Sequence, residues 1–264
     1  MPNRQSLCDR LYVATFDENP VEVARNYDLG LEINETCVSE NLDADRYPSL
    51  IAHARKDIDA TGVSRSIVHG PYTELTPCSI DHLALELTRT RYEQAWQACR
   101  DLGANTLVLH AGYTPRVYFP EWFHERSVAF WKDFLKDKRG DGIRLCIENV
   151  LEDDPNMLLS IVEDVGSPLL SICLDTGHAQ VAPTSGRKPS VIEWIETLGS
   201  HIGHFHLHSN RGIRDDHLPL GAGVLDMDEI LQAVQHNCPS STTFTIESRD
   251  AAASCAWLAD HGWL

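Results

Sequence analysis

At 264 residues with 42% hydrophobic content, the chain is long enough to bury one large core. Its 39 acidic and 22 basic residues leave a net charge of −17, which argues against nucleic acid and anionic membranes as partners, because affinity for both comes largely from Lys and Arg contacts that release counterions. No stretch approaches the roughly eighteen apolar residues of a membrane span, the opening ten residues lack the apolar run of a signal peptide, and no Pro/Gly/Ser linker divides the chain, so the expectation is a soluble, cytoplasmic protein with one domain over 1–264.

Leu11 to Phe16 reads as a short buried strand, Val21 to Tyr27 as a helix, and Leu29 to Ile33 as a second strand whose Glu32 is read as structural even if it faces a barrel interior. Pro48 opens a helix with Leu50, Ile51, Ala54 and Ile58 on one face, and Gly62 closes it. Ser66 to His69 is an apolar run ending in histidine. Between Ile80 and Leu102, apolar residues recur at steps of three and four, which predicts a long helix stopped by Gly103. Asn105 to His110 again ends in histidine. Trp122, Phe123, Phe130, Trp131 and Phe134 follow a helical period, as packing aromatics do. Gly142 to Glu148 and Leu170 to Asp175 each end in a carboxylate, with a helix between them that Asp154 caps, Pro155 begins and Gly166 stops. A helix near Val191 to Leu198 precedes His204 to His208. Asp226 and Glu229 then start a helix, Thr243 to Glu247 forms the last strand, and Ala251 to Asp260 the last helix. Eight strand-then-helix units predict an α/β chain closed as a (β/α)₈ barrel.

The third to eighth strands each finish in a potential metal ligand: His69, His110, Glu148, Asp175, His206 and Glu247. In a barrel these ends converge on one rim, and so many buried carboxylates and imidazoles are costly without a cation. Loop residues join them. His178 follows Asp175 by three, with Gly177 allowing a sharp return, and Asp215 and His217 lie two apart, so that alternate side chains could meet one ion. His204 is read as lying deeper with a structural role, and His208 is left out as strand or loop. Arg211 and Arg214 either bind an anionic or hydroxyl-rich substrate or balance Asp215 and Asp216. The eight cysteines form no C-x-x-C pair and read as buried free thiols, neither a disulfide frame nor a thiolate zinc site.

At His69-Gly70-Pro71-Tyr72, Leu102-Gly103-Ala104, His110-Ala111-Gly112-Tyr113, Ile147-Glu148-Asn149-Val150, Leu174-Asp175-Thr176-Gly177-His178, the 204–223 stretch and Ile246-Glu247-Ser248, the chain resembles the xylose isomerase-like TIM barrels. That superfamily holds sugar and sugar phosphate isomerases and epimerases and the endonuclease IV type of abasic-site nuclease. The resemblance to single-ion isomerases implies a divalent ion on Glu148, Asp175, His206 and Glu247, with Glu148 and Glu247 as catalytic acid and base for proton transfer through an enediolate. Resemblance to the nucleases implies three ions, the first on His69, His110 and Glu148, the second on Glu148, Asp175, His206 and Glu247, the third on His178, Asp215 and His217. Tyr72, Tyr113, Asn149, His178 and Arg211 are the implied substrate contacts. Two departures stand out: Ser209 where relatives often carry Asp, and Gly221-Ala222-Gly223 where they often carry Gly-Glu-Gly.

The resulting expectation is a metal-dependent isomerase or epimerase of a sugar, polyol or sugar phosphate, using one to three Zn, Mn, Co or Mg ions, with a small carbohydrate as partner. A homo-oligomer is compatible with the sequence. Hydrolysis at abasic DNA sites by a zinc cluster is the alternative, and a carbohydrate-binding barrel without turnover a third. Specificity is expected in the loops around 70–80, 111–121, 178–190 and 209–225.

Overall fold

The computed structural model describes residues 5–182 and 188–264. Eight parallel strands, β1 (Leu11–Ala14), β2 (Gly30–Ile33), β3 (Ser66–His69), β4 (Thr106–His110), β5 (Arg144–Glu148), β6 (Leu170–Asp175), β7 (Ile202–Leu207) and β8 (Thr243–Ile246), close in sequence order, with β8 pairing back onto β1. Outside them run α1 (Pro20–Tyr27), α2 (Tyr47–Thr61), α3 (His82–Leu102), α4 (Pro120–Leu135), α5 (Pro155–Val165), α6 (Thr176–Val181), α7 (Val191–Leu198), α8 (Met227–Asn237) and α9 (Ala251–Asp260). The (β/α)₈ expectation therefore holds, and no helix of the described residues is long and apolar enough to cross a membrane.

Strand alternation builds two cores. Leu107, Leu109, Leu145, Ile147, Ile172 and Leu174 point outward and pack beneath the helices, whereas Tyr12, Ile67, Val108, Cys146 and Cys173 form a separate cluster inside the barrel. Two residues further along each strand, the same inward row ends in His69, His110, Glu148 and Asp175. Period-two geometry thus converts strand-terminal position into convergence.

The outer core is rich in aromatics. Tyr92 stacks on Trp131 at 5.7 Å, edge-on to Phe130 and Phe134, and Trp96, Trp131, Trp194 and Trp263 are wholly buried. Each large apolar side chain so buried contributes about 1.5–3 kcal/mol. Trp122 departs from the predicted packing set: it is 46% exposed and meets Phe119 edge-on at 5.4 Å. All eight cysteines are unpaired, and five of them, Cys78, Cys99, Cys146, Cys173 and Cys255, are buried.

Candidate metal centre

Glu148, at the end of β5 and 1% exposed, is the hub. Its Oε2 lies 3.2 Å from His69 Nε2, 3.5 Å from His110 Nε2 and 3.5 Å from His206 Nδ1, and its Oε1 lies 3.1 Å from His178 Nδ1. His69 is oriented by its own Nδ1, which donates to the Gly70 carbonyl at 3.0 Å and leaves Nε2 aimed at the hub. Tyr72 stacks on His110 at 4.1 Å.

His206 comes from β7. Its Nδ1 is 3.5 Å from Glu247 Oε2 and 3.8 Å from Asp175 Oδ2 in addition to the Glu148 contact, yet it is buried without a hydrogen-bond partner. A bare imidazole nitrogen facing three carboxylates is the donor set of a divalent cation, and it is the observation on which a metal fits here. Two more donor groups flank it: His69, His110 and Glu148, and His178, Asp215 and His217, each offering ligand atoms within 4.8 Å of one another.

Asp175 is fixed from several sides. Its Oδ1 caps α6 by accepting from the His178 amide at 2.6 Å, and its own amide donates to Asn149 Oδ1 at 2.8 Å. His208, left out of the expected site, is wholly buried with Nε2 3.0 Å from each Asp175 oxygen, and it stacks on His217 at 4.1 Å. Gly177 does not make the sharp return expected of it. It lies within α6, where a Cβ would run into the His208 ring, so its function is close approach.

The arch after β7 folds back on itself, with Ser209 and Leu218 exchanging backbone hydrogen bonds at 2.9 and 2.7 Å. That reversal brings in Asp215, whose Oδ2 is 2.8 Å from His217 Nε2 and 3.3 Å from His178 Nε2. His217 has φ +47°, the left-handed region that a non-glycine residue rarely adopts, and its Nδ1 donates to the Glu247 carbonyl at 2.7 Å. Convergence of Asp215 and His217 thus comes from a turned backbone, not from the extended alternation expected.

Electrostatics follow the crowding. Burial opposes the charge of Glu148, but His110, His206 and His178 outweigh it and hold the carboxyl well below the usual carboxylate range. Glu247 is pushed up, first by burial and then by Glu148 and Glu32, against the pull of His206. His110 falls to about 3, through burial and the neighbouring imidazoles, whereas His217 rises to about 9 because Asp215 overcomes its burial.

These groups floor an open cavity of about 710 Å³. Its other walls are Phe16, Glu18, Asn34, Cys37 and Arg249, from the loops after β1, β2 and β8, which carried no sequence signal. Three expected substrate contacts lie elsewhere. Tyr113 leans on Phe123 at 5.1 Å, Asn149 bonds to the Asp175 backbone, and Arg211, 64% exposed at its side chain, pairs with Asp216 at 3.5 Å. Of the expected specificity loops, part of 178–190 falls outside the described residues, and 111–121 contributes nothing to the described lining. At the departures, Ser209 Oγ is buried and unpartnered, and Gly221 has φ +80° against Trp257.

Residues 23–264 match the family model described as xylose isomerase-like TIM barrel. The chain belongs to that family. It is 29% identical over 177 residues to an uncharacterised protein of Methanocaldococcus jannaschii, covering 64% of this chain and 59% of that one. It therefore spans about three fifths of the length of that relative. A probable endonuclease 4 of Mycobacterium leprae is 25% identical over 178 residues, 64% of this chain and 68% of the relative. Among solved structures, a Thermus thermophilus protein soaked with zinc chloride is 27% identical with TM-score 0.76, covering 95% of this chain and 97% of its own. A D-tagatose 3-epimerase-like protein, 24% identical with TM-score 0.77 over 96% of both chains, shares the fold.

Proposed function

We propose that the chain is a metal-dependent isomerase or epimerase of a small sugar, polyol or sugar phosphate. The observation that carries this reading is the pair of glutamates, Glu148 and Glu247, each 3.5 Å from the bare Nδ1 of His206 at the base of a small-molecule-sized cavity. Glu148, Asp175, His206 and Glu247 would hold a divalent ion, which when bound polarises neighbouring carbonyl and hydroxyl oxygens and eases removal of a carbon-bound proton. Glu148 and Glu247 take up and return that proton, as two carboxylates on different strands bracketing one substrate can. Tyr72, Val150 and the exposed ring of Phe16 contribute apolar wall. The similarity in fold to sugar epimerases supports the assignment.

Metal-assisted phosphoester hydrolysis is a second reading, favoured by the two further donor groups, which proton transfer at one ion does not need. Against duplex DNA as substrate stand the net charge of −17 and a described lining in which Arg249 is the sole Lys or Arg. The test is a set of ketoses, polyols and their phosphates incubated with metal-loaded protein in heavy water, beside an abasic-site duplex. Exchange of a carbon-bound proton supports the first reading; a nicked duplex with no exchange overturns it.

A further inference from the structure

Glu32 lies in the barrel interior on β2 and is wholly buried. Its Oε1 accepts from His206 Nε2 at 3.1 Å, and its Oε2 accepts from His204 Nε2 at 3.2 Å and from the Thr245 hydroxyl. His204 Nδ1 in turn lies 2.7 Å from the Thr243 hydroxyl. An ionised Glu32 can only accept, so both histidines direct an Nε2 proton at it and both Nδ1 atoms face away from it. The Nδ1 of His204 meets a hydroxyl; that of His206 meets none.

The packing of an apolar barrel interior gives no reason for this arrangement. A buried carboxylate costs several kcal/mol to desolvate, and an aliphatic side chain of similar volume would fill the place. Leaving His206 Nδ1 unmet adds a penalty of about 1–3 kcal/mol. Both costs make sense together if the network exists to present that nitrogen to something outside it. What surrounds Nδ1 is Glu148 and Glu247 at 3.5 Å and Asp175 at 3.8 Å.

We propose that Glu32 is a positioning residue for the metal centre: it locks His206 in the Nε2-protonated tautomer and fixes the ring plane, so that Nδ1 is delivered to an ion shared with Glu148, Asp175 and Glu247. A carboxylate behind a ligating imidazole also raises the basicity of the ligand nitrogen. Glu32 reaches His206 from β2, its carboxylate within 4.8 Å of ligand atoms of His69 and Glu247 as well, and His204 with Thr245 holds that carboxylate on the imidazole side. The proposal rests on the metal reading above.

The test compares native protein with Glu32→Gln and Thr245→Val by chelator competition for zinc, resolving the separate classes of site. Glu32→Gln keeps the shape and loses the charge; about a 10- to 100-fold loss of affinity is expected at one class of site, with the others unmoved. Thr245→Val disturbs the same network while leaving the carboxylate on His206, and its affinity should stay within about threefold of native. In native protein loaded with labelled cadmium, scalar coupling should connect the metal to His206 Nδ1 while Nε2 keeps its proton, a readout that does not depend on any variant folding. Native affinity in Glu32→Gln, equal losses in both variants, or coupling through Nε2 with Glu32 itself as ligand would each overturn the inference. Native protein that binds no divalent ion would overturn the metal reading first and this one with it.

Discussion

His208 Nε2 stands equidistant, 3.0 Å, from the two oxygens of Asp175. The position exists only because residue 177 has no side chain. Gly177→Ala should therefore displace the His208 ring, at a cost of about 1–3 kcal/mol for overpacking. Denaturant unfolding measures that cost, and zinc affinity should fall with it because Asp175 loses its clamp. An unchanged midpoint would mean that α6 yields instead of His208.

Glu247→Gln keeps the side-chain volume and removes both a carboxylate ligand and a proton carrier. Turnover should drop by about 10²-fold or more, the range of acid–base catalysis. Proton exchange into substrate in heavy water checks it, and full activity would remove Glu247 from the chemistry.

Arg249 lines the cavity, and among the described residues no acid is paired with its guanidinium; Arg211 is paired with Asp216 outside it. The two arginines should behave differently. Arg249→Ala should raise KM for a phosphorylated substrate about 10-fold or more, as expected for loss of a charged hydrogen bond, while Arg211→Ala leaves it unchanged. Steady-state kinetics on both variants, with the unphosphorylated sugar as control, separates them.

Glu152 is wholly buried and accepts from the amides of Val150 at 2.7 Å, Leu151 at 3.1 Å and Tyr113 at 3.3 Å, tying the loops after β4 and β5 together. Burial, even against these donors, pushes its carboxyl up to about 7 from an ordinary 4.5. The folded state thus keeps a proton that the unfolded chain releases above 4.5, so stability falls as pH rises from 4.5 to 7, and the loss is complete above 7. The loss amounts to about 3 kcal/mol. Since Glu152→Gln cannot ionise there, native stability should fall relative to that of the variant over that interval in denaturant titrations; a constant difference would refute it.

The barrel and its rim of donors were legible because both depend on strand ends, where an apolar run stopping at His69, His110, Glu148 or Asp175 fixes side and height at once. Glu32 and His208 were not. His208 follows His206 in one inward row and Glu32 faces the same interior from β2, but whether such a polar group meets solvent, an ion or another side chain depends on strand stagger, and β7 shifts register against β6 between Ile172 and Cys173. Loop residues fared differently again. Tyr113, Asn149 and Arg211 sit at the right sequence distance from donors, and only the path of the backbone turns them away; at His217 the same freedom turns a side chain inward.

The donor atoms of the proposed site come from the ends of β3 through β8 and from the segments that follow β6 and β7, while β2 adds Glu32, whose carboxylate lies within 4.8 Å of ligand atoms of His69, His206 and Glu247. Bound ions would therefore rivet three quarters of the circumference and leave one sector held by backbone pairing, by Glu32 and by the bonds of Thr15 to Asn34 and Glu35. Amide exchange should slow unevenly on loading, most for β5 to β7 and least where β1 meets β2, which makes that sector the hinge line along which the cylinder first parts.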